Sequence, residues 1–255
     1  ALPKVYDGLM RREQIPAEST KESAPLKLKY MLYPPLIAVA FYMIAGYMLE
    51  GTFQDWGAFL IRELELGRGV EIVPENLWHL LPTAEADARR AAAVSGGIAL
   101  ASFTALMTVG RMIGDPVIAR IGRAGTLQIG GGIAVLGILL VSMEGRTLLT
   151  YLGFGLVGLG TANIVPQVIK TADSTPGLPP GVAISIITAV GFIAFLGGPV
   201  SIGFSGEHFG FRMTFLALLV FPLVLALTAG LLLRWFERGR AREVVQGDAT
   251  ADSAD

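Results

Sequence analysis

Between residues 110 and 123 the chain reads Gly-Arg-Met-Ile-Gly-Asp-Pro-Val-Ile-Ala-Arg-Ile-Gly-Arg, with an apolar run on either side, 91–109 before it and 125–143 after it. Roughly 20 helical residues cross the hydrocarbon core of a bilayer, and each run is close to that length. A hydrophobic segment that closes on Arg111, Asp115, Arg120 and Arg123 and then re-enters apolar sequence predicts two membrane helices. The charged stretch is then the tight turn between them, and it fixes which side of the membrane the rest of the chain faces.

Composition agrees with a membrane chain. Hydrophobic residues make up 53% and charged residues 16%, with a mean hydropathy of +0.59. Soluble domains carry about 25% charged residues, so this chain is short of the groups needed to coat a globule. A net charge of −1 argues against a nucleic-acid partner, which demands basic surface. The absence of cysteine removes disulfides, thiolate nucleophiles and Cys-ligated metals. His79 and His208 are far apart and belong to no ligand-spaced cluster, so neither a metal nor a cofactor is expected. No signal peptide is expected either, because residues 1–29 are polar and the first apolar run lacks a suitably placed small-residue cleavage site. The fold class expected is all-α and integral to the membrane.

In chain order, residues 1–29 hold six basic residues and no apolar period, which reads as a linker or tail. A six-helix transmembrane domain is expected over 30–235. Its first span starts near Met31 and either stops at Leu49 or runs on to about Ile61. The longer, tilted or broken helix is preferred, started by Pro34-Pro35 where missing amide donors do little harm. Residues 62–90 are a polar excursion read as an extramembrane loop. Thr83 is placed to cap a short helix there, with Glu85 and Arg89 paired one turn apart. The remaining spans are expected at 91–113, 125–143, 148–168, 181–204 and 213–233, with turns at 144–146 and 171–180. A disordered tail is expected over 236–255.

Six spans put both ends on one side. Thirteen Lys and Arg lie on that side and six on the other, with Arg111 at a helix end left out. The positive-inside rule therefore predicts that both ends are cytoplasmic. Glycines crowd the spans (130–132, 153, 155, 158, 160, 191, 197 and 198). They read as packing seams, since small residues let membrane helices approach where burial gives no hydrophobic drive. Such seams also permit helices to rock.

Polar groups inside a span are functional candidates by default. On the longer first span Glu50 falls near mid-depth, with Gln54 one turn on. It is either a proton-carrying carboxylate or a packing carboxylate bonded to a neighbour. Asn163 and Gln167 in the fourth span flank Pro166, which leaves a backbone carbonyl free and kinks the helix. They either line a polar site or bond between helices. Tyr47, with Tyr42, Tyr151 and Ser185, is a weaker candidate for a cavity wall. Asp55 and Trp56 read as interfacial, and Glu207 and His208 as outer-surface residues.

Three stretches carry a family resemblance. Residues 115–123, Asp-Pro-Val-Ile-Ala-Arg-Ile-Gly-Arg, keep Arg120, Gly122 and Arg123 of the pattern Gly-x-x-x-Asp-Arg-x-Gly-Arg, with Ala119 where the pattern has its acid and Asp115 where it has its first glycine. Residues 198–215, from Gly198-Pro199 through Glu207-His208 to Arg212 and Phe215, form the second. Glu50-Gly51 with Asp55-Trp56 is the third. Together they resemble the C-terminal half of a major facilitator superfamily (MFS) transporter over all six spans. The resemblance implies helices seven to twelve of that fold, as two inverted three-helix repeats. It implies a cavity walled by the first and fourth spans and a cytoplasmic gating motif over Gly110, Arg111, Asp115, Arg120, Gly122 and Arg123, with Asp115 standing in for the missing acid.

The function implied is secondary active transport of a small solute by alternating access, with proton coupling through Glu50 as a further step. The partners implied are the lipid bilayer, a small-molecule substrate and an N-terminal six-helix half from the same gene, a second chain or a second copy. The location implied is a bacterial inner membrane. The alternative is a non-transporting membrane subunit that keeps the fold as a scaffold and docks through 62–90. No span offers a nucleophile, metal set or carboxylate pair for an enzyme.

Overall fold

The computed structural model describes residues 32–67, 75–143, 147–175, 177–178 and 181–252. Among them are α1 (Pro34–Asp55), α2 (Gly57–Leu66), a 3-10 turn (Glu75–Leu80), α3 (Thr83–Met112), α4 (Gly114–Val141), α5 (Thr147–Thr161), α6 (Ile164–Asp173), α7 (Val182–Phe209), α8 (Phe211–Ala217) and α9 (Val220–Asp252). There is no strand among these residues. Six stretches are long and apolar enough to cross a membrane: Pro34–Asp55, Thr83–Met112, Gly114–Val141, Thr147–Asp173, Val182–Phe209 and Phe211–Phe236.

Three of the interruptions within this helical chain share a chemical origin. Proline lacks the amide that would bond the carbonyl four residues back, and its ring collides with that carbonyl. The chain breaks at Ile113 before Pro116, at Ala162–Asn163 before Pro166, and at Leu218–Leu219 before Pro222, each time three or four residues upstream. Each proline then sits in the first turn of the next helix, where its missing donor is harmless. Pro199 is the exception, since α7 stays helical through it. The break at Trp56 has no proline, and there α1 gives way directly to α2. The first span therefore follows the longer reading, started by Pro34-Pro35 and broken rather than straight.

Several expected boundaries shift. The charged turn at 110–123 is helical apart from Ile113, up to a kink at Gly122, whose φ of 75° is a conformation suited to glycine. Thr83 starts no separate short helix and caps nothing: the N-cap position is Pro82, and α3 runs unbroken into the second span. Much of 62–90 is likewise helical rather than loop. α9 continues to Asp252, beyond the expected end at Leu233 and into the stretch read as a disordered tail. The segment 1–29 and the turn 144–146 lie outside the described residues.

Packing sorts the spans into two groups. α5 lies against α3 on one side and α4 on the other, while α1 packs on α7 and α6. Glycine makes the first contacts close. A Cβ on Gly160 would fall on the Gly130 carbonyl, and one on Gly137 would lie 2.7 Å from the Gly153 carbonyl. A Cβ on Gly158 would overlap the Phe103 carbonyl, so α5 meets α3 backbone to backbone. The centre is filled by Phe53, whose ring lies 5.0 Å from both Phe154 and Phe215 and 6.0 Å from Phe103. Four spans thus meet on one buried aromatic cluster, worth about 0.5–1.5 kcal/mol per ring pair beyond its burial.

Candidate functional site

Glu50 lies on α1 between two contacts that fix its level in the bundle. Below it, Gly46 faces Ile164 and Val165 of α6; above it, Phe53 enters the aromatic cluster. Arg111, in the last turn of α3, extends toward it, and Nη2 donates to Glu50 Oε1 at 3.1 Å. A long side chain on a helix leans toward that helix's N-terminus, so Arg111 reaches back along α3 into the bundle. Gln54 Nε2 donates to the same oxygen at 3.3 Å. The carboxylate is 24% exposed and the guanidinium 53% exposed, so the pair lies on the open flank of the bundle.

The next residue ties the same helix end to span four. Asn163 Nδ2 donates to the Gly110 carbonyl at 2.9 Å, and a Cβ on Gly114 would run into the Asn163 amide. Gly110 itself is pressed against Ala162 and Leu159. The carboxy end of α3 is therefore held by Glu50 of span one through Arg111 and by Asn163 of span four through Gly110.

The other expected residues separate. Gln167 is 1% exposed, with Oε1 buried and unpartnered, and among the described residues its bond to Asn163 is the backbone one, from the Gln167 amide to the Asn163 carbonyl. Tyr47 packs on Gly191 and edge-on to Phe195 at 5.9 Å, joining spans one and five. Tyr42 is occupied by Thr228, hydroxyl to hydroxyl at 2.7 Å, and Ser185 by the Gly181 carbonyl. Of the motif residues, Asp115 and Arg120 are exposed and Arg123 is half-buried. Among the described residues none of these three forms an ion pair. The charge that Arg111 meets is Glu50.

Two features escaped the sequence reading. Thr104 and Thr108 stand exposed on the face of α3 that carries Arg111, their hydroxyls turned onto the Leu100 and Thr104 carbonyls at 2.9 and 2.8 Å. Their spacing of four and then three residues marks one helical face and was readable. Glu63 accepts from the Phe211 and Arg212 amides at 2.7 and 3.3 Å, and Arg212 Nε donates to the Ser142 carbonyl at 3.1 Å. This contact binds α2, α8 and the end of α4. Trp56, expected at an interface, is half-buried and stacks on Phe211 at 5.5 Å.

The chain is 26% identical over 191 residues to a Yersinia pestis protein named as an uncharacterized MFS-type transporter, covering 75% of this chain and 44% of that one. It is 29% identical over 197 residues to an uncharacterized transporter of Sinorhizobium fredii, covering 77% and 46%. This chain is similar to proteins named as MFS-type transporters over about three quarters of its length. Membrane protein MosC of Rhizobium meliloti is 31% identical over 135 residues, covering 51% and 32%. No protein-family profile matches the chain, and no solved structure matches it. The chain spans about half the length of the first two curated MFS relatives, and six membrane-length helices are what one half of such a fold contains. The chain is an all-α integral membrane protein.

Proposed function

We propose that the chain is the C-terminal half of a secondary active transporter, which moves a small solute by alternating access against an N-terminal six-helix half. In this reading both ends face the cytoplasm of a bacterial inner membrane. The Arg111–Glu50 pair carries the proposal. Ionisable groups within apolar spans are costly to keep and mark substrate or ion pathways. Here a carboxylate, a guanidinium and the Gln54 amide converge at one oxygen on an open flank, with Thr104 and Thr108 above them on α3.

The pair also supports a coupling step. A guanidinium and a proton are alternative ways of neutralising one carboxylate. In the proposed cycle Arg111 withdraws as Glu50 takes a proton from the water-filled side, and it returns when the proton leaves on the other. The end of α3, which Arg111 shares with Gly110, moves with that exchange.

This chain has no cysteine, so once any cysteine of the N-terminal half is replaced, a single engineered thiol reports on its own position. In membranes carrying the whole protein, Gln54→Cys is expected to react with a membrane-impermeant thiol reagent from either face in turn. Reversal of the pH gradient should shift which face is favoured. Reaction from one face only, under every gradient, would leave a subunit that does not alternate access and would favour the scaffold role. If Glu50→Gln left the gradient dependence intact, Glu50 would not be the coupling group.

A further inference from the structure

A second feature lies away from the Glu50 pair, where spans five and six part. α7 and α8 meet at their turn, with Phe211 pressed against Gly206, but beyond the turn α9 leaves α7 and packs on α4 and α1. A cavity of about 600 Å³ opens between the two spans. Its inner wall is Ile202 of α7, Met48 of α1, and Leu218 and Phe221 of span six, with Phe209 and Met213 at its mouth. Ile202 and Leu218 are buried, whereas Phe209 and Met213 are exposed. The far end is closed by Phe221, whose ring lies 5.7 Å from that of Phe41 on α1.

Among the described residues no Lys, Arg, Asp or Glu lines this cavity, so a charged ligand finds no carboxylate, ammonium or guanidinium there. Two of its three hydroxyls are turned back onto their own helices. Ser201 donates to the Gly198 carbonyl at 2.8 Å and Thr214 to the Gly210 carbonyl at 3.0 Å, an arrangement that satisfies the donor locally. Ser205, half-buried on α7, is the third. Water held in such a space needs several polar partners, and an empty space forfeits dispersion contacts along its walls. An apolar, flexible occupant avoids both losses.

We propose that one acyl chain of a phospholipid lies in this crevice, drawn from the leaflet at the α7–α8 end of the bundle. The mouth is continuous with the surface turned to the bilayer: Val200, Phe204 and Val220, each next in sequence to a lining residue, are exposed. Met48 and Met213 suit the occupant, because unbranched thioethers adjust to an irregular neighbour. The chain is also a wedge. α7 packs with α1 and α6, and α9 chiefly with α4, so the crevice separates helices of the two groups. A slip of one group past the other reshapes the crevice and has to admit or expel the chain.

The whole protein is reconstituted in phosphatidylcholine vesicles that contain a trace of the same lipid with a diazirine near the end of one chain. After irradiation the labelled residues are mapped by mass spectrometry. Ile193 and Leu196, exposed on α7, are within reach of any bilayer lipid and serve as the reference. Label is expected in addition at the buried Ile202 and Leu218. Ala217→Trp fills the crevice from span six and Ser205→Phe fills it from α7. Each should remove the label at Ile202 and Leu218 and leave it at Ile193 and Leu196. Absence of label at Ile202 and Leu218 in the parent overturns the proposal, as does label there that survives both variants. Label at these two residues from a water-soluble diazirine would show a crevice filled with water and overturn it as well.

Discussion

Arg111 donates to Glu50 at 3.1 Å although 61 positions of sequence separate them, and this contact joins the end of span two to the middle of the broken first span. It follows that the two charges are interchangeable as a pair. Glu50→Arg alone sets two guanidiniums against each other, and Arg111→Glu alone sets two carboxylates. Each reversal is expected to lower stability by about 1 kcal/mol, a value kept small because Arg111 is half exposed. The combined exchange should recover most of the loss. Thermal unfolding of the three variants in detergent checks this, and a double variant no better than the worse single one would refute the pairing.

Glycines in the seams should not be equivalent. Gly158→Ala drives a methyl into the Phe103 carbonyl and is expected to cost about 1–3 kcal/mol, as overpacking does. Gly97 and Gly132 have nothing within 4 Å of an added Cβ, so Gly97→Ala and Gly132→Ala should be neutral or gain about 0.5–1 kcal/mol from helix propensity. Melting curves of the three variants give the comparison directly.

The break in span four should respond oppositely to its two flanking residues. Asn163→Ala removes the bond to the Gly110 carbonyl and is expected to lower stability by about 1 kcal/mol. Pro166→Ala restores the donor that the Ala162 carbonyl lacks and should raise the melting temperature while slowing solute movement. A Pro166→Ala variant that transports at the parental rate would show that the break is not needed for movement.

Glu63 acts as a distant helix cap for α8. Glu63→Ala is expected to cost about 1 kcal/mol, the usual value for a lost cap. Glu63→Gln keeps one acceptor oxygen and should cost less. Hydrogen exchange at the Phe211 and Arg212 amides is the local readout, and unchanged protection in Glu63→Ala would contradict the capping role.

How much of this could be read in advance depended on the range of the interaction. The six apolar runs located the six spans, because crossing a bilayer is a requirement on local composition. Pro34-Pro35 placed the start of span one, and Pro166 announced the break in span four. Pro116 and Pro222 act in the same way and were equally legible. The turn at 110–123 was misjudged because its charges suggested a loop, whereas helix at a membrane face tolerates charge on its wet side. Arg111 was grouped with Asp115 by closeness in sequence, yet its partner came from another span. Contacts such as Glu63 with Phe211 leave no trace in spacing, since they depend on how helices pack.

The two halves of span four keep different company. Thr147–Thr161 is seated by glycine against the helices that begin at Thr83 and Gly114, while Ile164–Asp173 lies with those that begin at Pro34 and Val182. Between them only Ala162 and Asn163 lie outside both helices. A bundle built this way has a universal joint two residues long. A slip of one helix set past the other would bend span four at these two residues, and it would also have to shift Phe53 within the cluster it shares with Phe103 and Phe154.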